Sequence, residues 1–220
     1  MAEIDVDSIL AKKEAEEKRK SMMKKLKIYG IAAGAAVLAG IIVFFAVVKF
    51  MGEKSAKYFP ATGEFKMFYN KTGTNPERWE FSRELVDVNG RMCAVINKVN
   101  TGTNRTKQDY FYSNREQGIV RYAYSNNFGE KKVSPFVYLP YRVKKGASFT
   151  AAEVRGVSIK ASVDEFEVMM SAAGEFETMR VEYKGAPYYN KTMWYAEGVG
   201  VIRERDNLKG NEMNLISVME

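Results

Sequence analysis

The chain has 220 residues, 34 Lys and Arg against 27 Asp and Glu for a formal net charge of +7, no histidine and one cysteine, Cys93. Without histidine there is no Ser-His-acid or Cys-His nucleophile and the commonest metal ligand is missing; with one thiol there is no internal disulfide. The positive excess is spread along the chain rather than gathered on one face, so nucleic acid is not expected as a partner.

Residues 1–27 read as a cytoplasmic tail, partly helical. Ile4, Val6, Ile9 and Leu10 stand among Glu3, Asp5 and Asp7, a short acidic-apolar stretch of the docking-peptide type; a frayed terminus is the plain alternative. From 11 to 27 the composition is Ala, Lys, Glu, Arg and Met without proline or glycine, and Glu14–Lys18 and Glu16–Lys20 are helix-stabilising i,i+4 pairs.

Residues 28–48 contain twenty-one positions without a charge. At about 1.5 Å per residue a helix of that length covers the roughly 30 Å hydrocarbon core of a bilayer, so a single transmembrane helix is predicted. Lys13, Lys18, Arg19, Lys20, Lys24, Lys25 and Lys27 precede it, against Lys49, Lys54 and Lys57 after it. By the positive-inside rule the N-terminus is cytoplasmic and the C-terminal part outside. A cleaved signal peptide would have an apolar core of only about 7–15 residues and a small-residue cleavage site, which this run does not provide. Gly30, Gly34 and Gly40 give the helix small faces at which another helix can approach, although glycine is common in membrane spans in any case.

Residues 49–57 read as a connector that reaches at most about 30 Å when extended. From 58 to 220 the period changes to two. Val120, Tyr122 and Tyr124 alternate with Arg121, Ala123 and Ser125; Phe166, Val168 and Met170 with Glu165, Glu167 and Met169; Met179, Val181 and Tyr183 with Arg180, Glu182 and Lys184. Such alternation predicts antiparallel strands with one face on the core and the other in water. Asn89-Gly90 between two such runs predicts a hairpin, and further Gly- and Asn-bearing turns follow. The expectation is mainly β: one N-terminal transmembrane helix, then an antiparallel β-meander of eight to ten strands forming a barrel or half-barrel.

Candidate chemistry is sparse. Cys93 sits between Met92 and Ala94 in a predicted strand, where a buried, inert thiol is expected. Gly198-Val199-Gly200 lacks the helix and third glycine of a dinucleotide loop. Asp164, Glu165 and Glu167, and Glu175 and Glu177, are what alternation places on a solvated strand face. Trp194 is expected in the core. No enzyme activity, cofactor or metal is expected.

Residues 171–206 carry a resemblance. Ala173-Gly174-Glu175-Phe176 leading into Met179–Tyr183, then Met193-Trp194-Tyr195-Ala196-Glu197-Gly198-Val199-Gly200-Val201-Ile202, resemble a pattern of bacterial lipoproteins and secreted proteins. There an Ala-Gly-x-Phe turn is followed by a strand and by Trp-Tyr-Ala-Pro-Gly-Val-Gly. Tyr58-Phe59-Pro60 with Gly63-Glu64-Phe65, and Leu139-Pro140 with Gly146-Ala147-Ser148-Phe149, fit the same group. The resemblance implies an antiparallel barrel or half-barrel of unassigned activity. Departures are Phe65 and Phe149 where the group often has Trp, Ala172 and Glu197 where it has Pro, and an apolar helix in place of a lipid anchor.

The expected function is therefore a non-catalytic interaction or scaffold module, anchored in a bacterial inner membrane with its β domain in the periplasm. Its partners would be the lipid bilayer and other membrane or envelope proteins, or a second copy of itself. The alternative is a carrier or sensor of an apolar ligand in a half-barrel cavity. A carrier needs an open cavity of several hundred Å³; a scaffold fills its barrel with side chains.

Overall fold

The computed structural model describes residues 41, 52–60, 64–185 and 187–219, and the chain divides into two compact units, Met1–Met51 and Gly52–Glu220. The tail and the apolar run lie outside the described residues apart from Ile41, which is helical. Among the described residues no helix is long and apolar enough to cross a membrane.

The second unit is built from fourteen described strands: β1 (Glu53–Lys54), β2 (Lys66–Lys71), β3 (Glu77–Val88), β4 (Arg91–Asn100), β5 (Thr106–Asn114), β6 (Gly118–Asn126), β7 (Lys132–Leu139), β8 (Arg142–Val143), β9 (Ser148–Val154), β10 (Val157–Ser171), β11 (Gly174–Gly185), β12 (Tyr189–Ala196), β13 (Gly200–Asp206) and β14 (Asn211–Met219). Twelve form one antiparallel sheet in the order β7-β6-β5-β4-β3-β2-β14-β13-β12-β11-β10-β9, and β1 pairs with β8 beside it. Almost every connection is a hairpin, so the meander expected from the alternation is present with more strands than anticipated. The first and last long strands, β2 and β14, pair with each other and bring the sheet round. The edges β7 and β9 come into contact but share no ladder. The sheet is thus a nearly closed barrel, open along one seam.

Asn89 and Gly90 turn the β3–β4 hairpin with φ of 53° and 78°, the pair of positive values that a two-residue hairpin turn requires. At the same end of the barrel Gly118 opens β6 with φ +86°, and a Cβ there would meet the Leu139 carbonyl oxygen at 2.2 Å. Only glycine fits that approach.

Residues 53–60, part of which had read as a free connector, are ordered against this end. The Ser55 N–H donates to the Tyr141 carbonyl at 3.0 Å and the Gly198 N–H to the Lys57 carbonyl at 2.7 Å. This segment drives Phe59 into the barrel, where its ring lies 4.9 Å from that of Phe111 and 5.9 Å from that of Tyr138. Above it Tyr183 donates to the Tyr138 carbonyl, which leaves Tyr195 as donor in the 2.8 Å contact between the two hydroxyls. Tyr69 donates to the Val201 carbonyl at 2.7 Å. The fully buried phenols of Tyr69, Tyr183 and Tyr195 therefore each have a partner, as burial demands. Met179, Val181 and Tyr183 are fully buried, in agreement with the alternation of β11. Trp194 joins the core cluster, its ring beside Arg203 and its N–H donating to Glu167 at 2.8 Å. Cys93 is buried too, on the outer side of β4, in a small second cluster with Val88, Val95, Tyr110 and Ala123.

Two alternating strands depart from the burial expected of them. On β10, Phe166, Val168 and Met170 are exposed, by 43%, 61% and 71%, although their spacing marked them as core-facing. β10 and β11 run past the end of the barrel as a long hairpin, so the apolar row lies beyond the core, with Phe166 meeting the edge of the plug segment at Tyr58, 6.3 Å between ring centres. On β6, Arg121 faces inward while Tyr122 packs in the outer cluster. The cause is a bulge: Tyr110 pairs with Ala123, but Phe111 pairs with Arg121. The extra residue, Tyr122, puts two neighbours on one side and resets the alternation.

A charged cavity at the open end of the barrel

The turns at 72–76, 101–105, 127–131, 155–156, 187–188 and 207–210 rim the end of the barrel opposite the Phe59 plug. Between them a cavity of about 1490 Å³ enters the barrel, walled by residues of all twelve strands of the large sheet, the seam strands β7 and β9 included. Its floor and lower wall are apolar, with Trp79, Phe136, Tyr138, Ile159, Met193 and Met213. Above them the wall is charged.

The strand pairings place these charges together. Lys98 on β4 faces Trp79 on β3 and Lys107 on β5, its ammonium 3.7 Å from the Trp79 ring centre. Asp109, two residues beyond Lys107 and on the same face, is fully buried and lies 2.8 Å from the Lys98 ammonium and 3.6 Å from that of Lys107. Lys71 pairs with Glu77 at 2.8 Å, and Lys191 pairs with Glu204. Burial alone would raise the Asp109 carboxyl pKa, but the charges of Lys98, Lys107 and Arg121 outweigh it and hold the group below the usual carboxylate range. Burial pushes the Lys107 ammonium down, and the positive charges of Lys98 and Arg121 add to the shift against the pull of Asp109. Lys98 goes the other way: burial disfavours its charge, and Asp109 restores it and raises it above the ordinary lysine value.

The cavity lining carries seven cationic side chains (Lys71, Lys98, Lys107, Lys191, Arg105, Arg121 and Arg155) against four carboxylates (Glu77, Asp109, Glu153 and Glu204), an excess of three positive charges among the described residues. Lys71 and Lys191 each have a carboxylate of their own, Lys98 and Lys107 share Asp109, and Arg121 has none. The Arg121 guanidinium lies 5.6 Å from the Phe136 ring and 5.7 Å from that of Tyr124. Its Nε is buried without a hydrogen-bond acceptor, a situation that costs about 1–3 kcal/mol in a folded protein.

The residues that the sequence singled out for partner docking (Ile4, Val6, Ile9, Leu10) and helix association (Gly30, Gly34, Gly40) lie outside the described residues. Of the acidic residues, Asp164, Glu165 and Glu167 converge on Arg180 as a surface network on the outside of the barrel. Sequence reasoning missed Lys98, Lys107, Asp109 and Arg121. A signal existed for the first: the Asn89-Gly90 hairpin fixes which β4 residues share a face with Trp79 and Phe81, and Lys98 is among them. Arg121 had no such signal, because the bulge that turns it inward is invisible in the alternation.

No family model matches the chain, and no curated protein matches it. Among solved structures it is similar to a candidate exported protein with a YmcC-like fold from Bacteroides fragilis, with a TM-score of 0.42 and 14% identity over 74% of this chain and 99% of that one. It is also similar to a candidate lipoprotein from Parabacteroides distasonis, with a TM-score of 0.33 and 13% identity over 73% of this chain and 97% of that one.

Proposed function

We propose that this protein is a non-catalytic, membrane-anchored binding module of the bacterial envelope, whose barrel takes up a small molecule. The observation that carries the reading is the cavity: about 1490 Å³ of open space in a barrel that a pure scaffold would have filled with side chains, against roughly 300–1,000 Å³ for ordinary ligand sites. Its charged upper wall replaces the wholly apolar lining expected of a half-barrel carrier. The uncharged run at residues 28–48 supports the anchor. The test is native mass spectrometry of the full chain extracted from its own membranes: retention of a small molecule of constant mass supports the reading. A chain that is always empty, and that takes up nothing from a lipid extract, refutes it.

A second reading, as a protein-interaction module, has one observation in its favour, the exposed row of Phe166, Val168 and Met170. A photo-crosslinking residue at Val168 should capture a discrete partner in intact cells if that row is an interface.

A further inference from the structure

We infer that the ligand of this cavity is an amphiphile with an anionic head, held by Arg121 and Lys107 while its apolar body lies along Phe136, Ile159, Met193 and Met213. The inference rests on the ligand-binding reading above and adds the chemistry of what is bound.

Three observations carry it. The first is charge. Within the cavity Glu77 and Glu204 neutralise Lys71 and Lys191, and Asp109 serves two lysines. Of the lining's excess of three positive charges, two come from the Lys98–Lys107–Asp109 group and Arg121, where β4, β5 and β6 run side by side, and the third from Arg105 and Arg155 against Glu153 near the rim. Uncompensated charge in a partly desolvated site is unfavourable, and a bound anion removes that cost.

The second is geometry. Arg121 sits on β6 with rings on either hand, Tyr124 and Phe136, and makes cation–π contacts in place of hydrogen bonds to acceptors. A guanidinium presents a planar fork suited to a carboxylate or phosphate, and here its Nε is buried and unpaired. Lys107 is tied to Asp109 only at 3.6 Å, too long for a good hydrogen bond, so its ammonium still has donors to offer.

The third is the division of the walls. The charges without a carboxylate of their own lie on β4, β5 and β6, whereas on the facing side Lys191 and Glu204 neutralise each other and Ile159, Met193 and Met213 on β10, β12 and β14 supply apolar surface. Inorganic phosphate would satisfy the head site and leave that apolar side wet. A neutral lipid would cover the apolar side and leave Arg121 unpaired. An anionic amphiphile does both.

The chain has two tryptophans, and only Trp79 lines the cavity, so bromine quenching reads occupancy directly. The full chain is held in neutral phosphatidylcholine nanodiscs and titrated with ω-bromoundecanoate, with ω-bromoundecanol as the uncharged counterpart and inorganic phosphate as a competitor. The acid should quench Trp79 at concentrations at least tenfold below the alcohol, and Trp79→Phe should abolish the quenching. Arg121→Met should weaken the acid at least tenfold and leave the alcohol unchanged; Lys107→Met should act in the same direction, and Arg121→Lys should recover part of the loss. An unchanged Trp194 emission shows that each variant is folded. Equal quenching by acid and alcohol, insensitive to both variants, overturns the anionic head and leaves a cavity for neutral ligands. Complete displacement of the acid by phosphate at the acid's own concentration also overturns the inference, because the site would then bind the free anion. Absence of quenching by either probe refutes the ligand-binding reading itself.

Discussion

The two halves of this barrel share strands, pairing and inward face, yet one is sealed and aromatic while the other is open and charged. At the sealed end the interior positions are Phe59, Phe111, Tyr138, Tyr183 and Tyr195, interlocked by ring contacts and phenol hydrogen bonds. At the open end the same strands present Lys98, Lys107, Asp109, Arg121, Lys191 and Glu204. Two things separate the halves. The segment at 55–60 crosses only one end, and long charged side chains line the other, where they oppose collapse because each must keep a partner or water. Stability therefore resides in the sealed half and binding in the open one, the arrangement expected when a site must stay accessible on a rigid support.

That division can be broken from either side. The largest effect should come from Phe59→Ala. It removes a fully buried ring from the plug and is expected to cost about 3–5 kcal/mol, read as a lower urea midpoint in a spectroscopic melt of the full chain. A loss well under 1 kcal/mol would mean that the plug is dispensable and the sealed half is not where stability lies.

Next comes Asp109→Asn, expected to cost about 3 kcal/mol because Lys98, whose side chain is only 12% exposed, would be left as a buried cation without its counter-charge. The double variant Asp109→Leu, Lys98→Met should recover most of that loss. The pH dependence has a definite sign. The folded-state pKa of Asp109 lies below its unfolded value, so its contribution is fully present above the ordinary carboxylate pKa. It is lost as pH falls below that value and through the folded pKa. Asp109→Asn should therefore flatten the acid limb of the stability curve, measured by urea melts between neutral pH and the acid range.

Gly118→Ala should have a smaller effect, about 1–3 kcal/mol, since it places a Cβ at φ +86° against the Leu139 carbonyl at the sealed end. A thermal melt should show the shift, with ligand uptake at the other end retained. The smallest effect belongs to Val168→Ser on the overhanging hairpin. At 61% exposure the residue belongs to neither half, and the change should stay within about 0.5 kcal/mol, measured by the same melt.

The architecture was legible where local rules act alone. Period-two alternation gave antiparallel strands, Asn89-Gly90 gave a hairpin in its place, and the spacing of Met179, Val181 and Tyr183 named a face that is fully buried. Even Lys98 could have been placed on the Trp79 face by parity from the Asn-Gly turn, although a register shift between Phe81 and Leu85 decides its exact partner. The same alternation failed on β10, where the apolar row of Phe166, Val168 and Met170 overhangs the barrel, and on β6, where the bulge at Tyr122 reverses the faces.

By itself, then, the sequence determined the strand-turn grammar of residues 58–220, the uncharged run before it and the absence of histidine chemistry, since each follows from residue type and spacing over a few positions. Only the tertiary structure decided that β2 closes on β14, that the segment before Pro60 stops one end, and that Arg121 and Asp109 come together on neighbouring strands of the cavity wall. Pairing between strands far apart in the chain is set by closure of the whole sheet, and one inserted residue is enough to turn a side chain from solvent into the cavity.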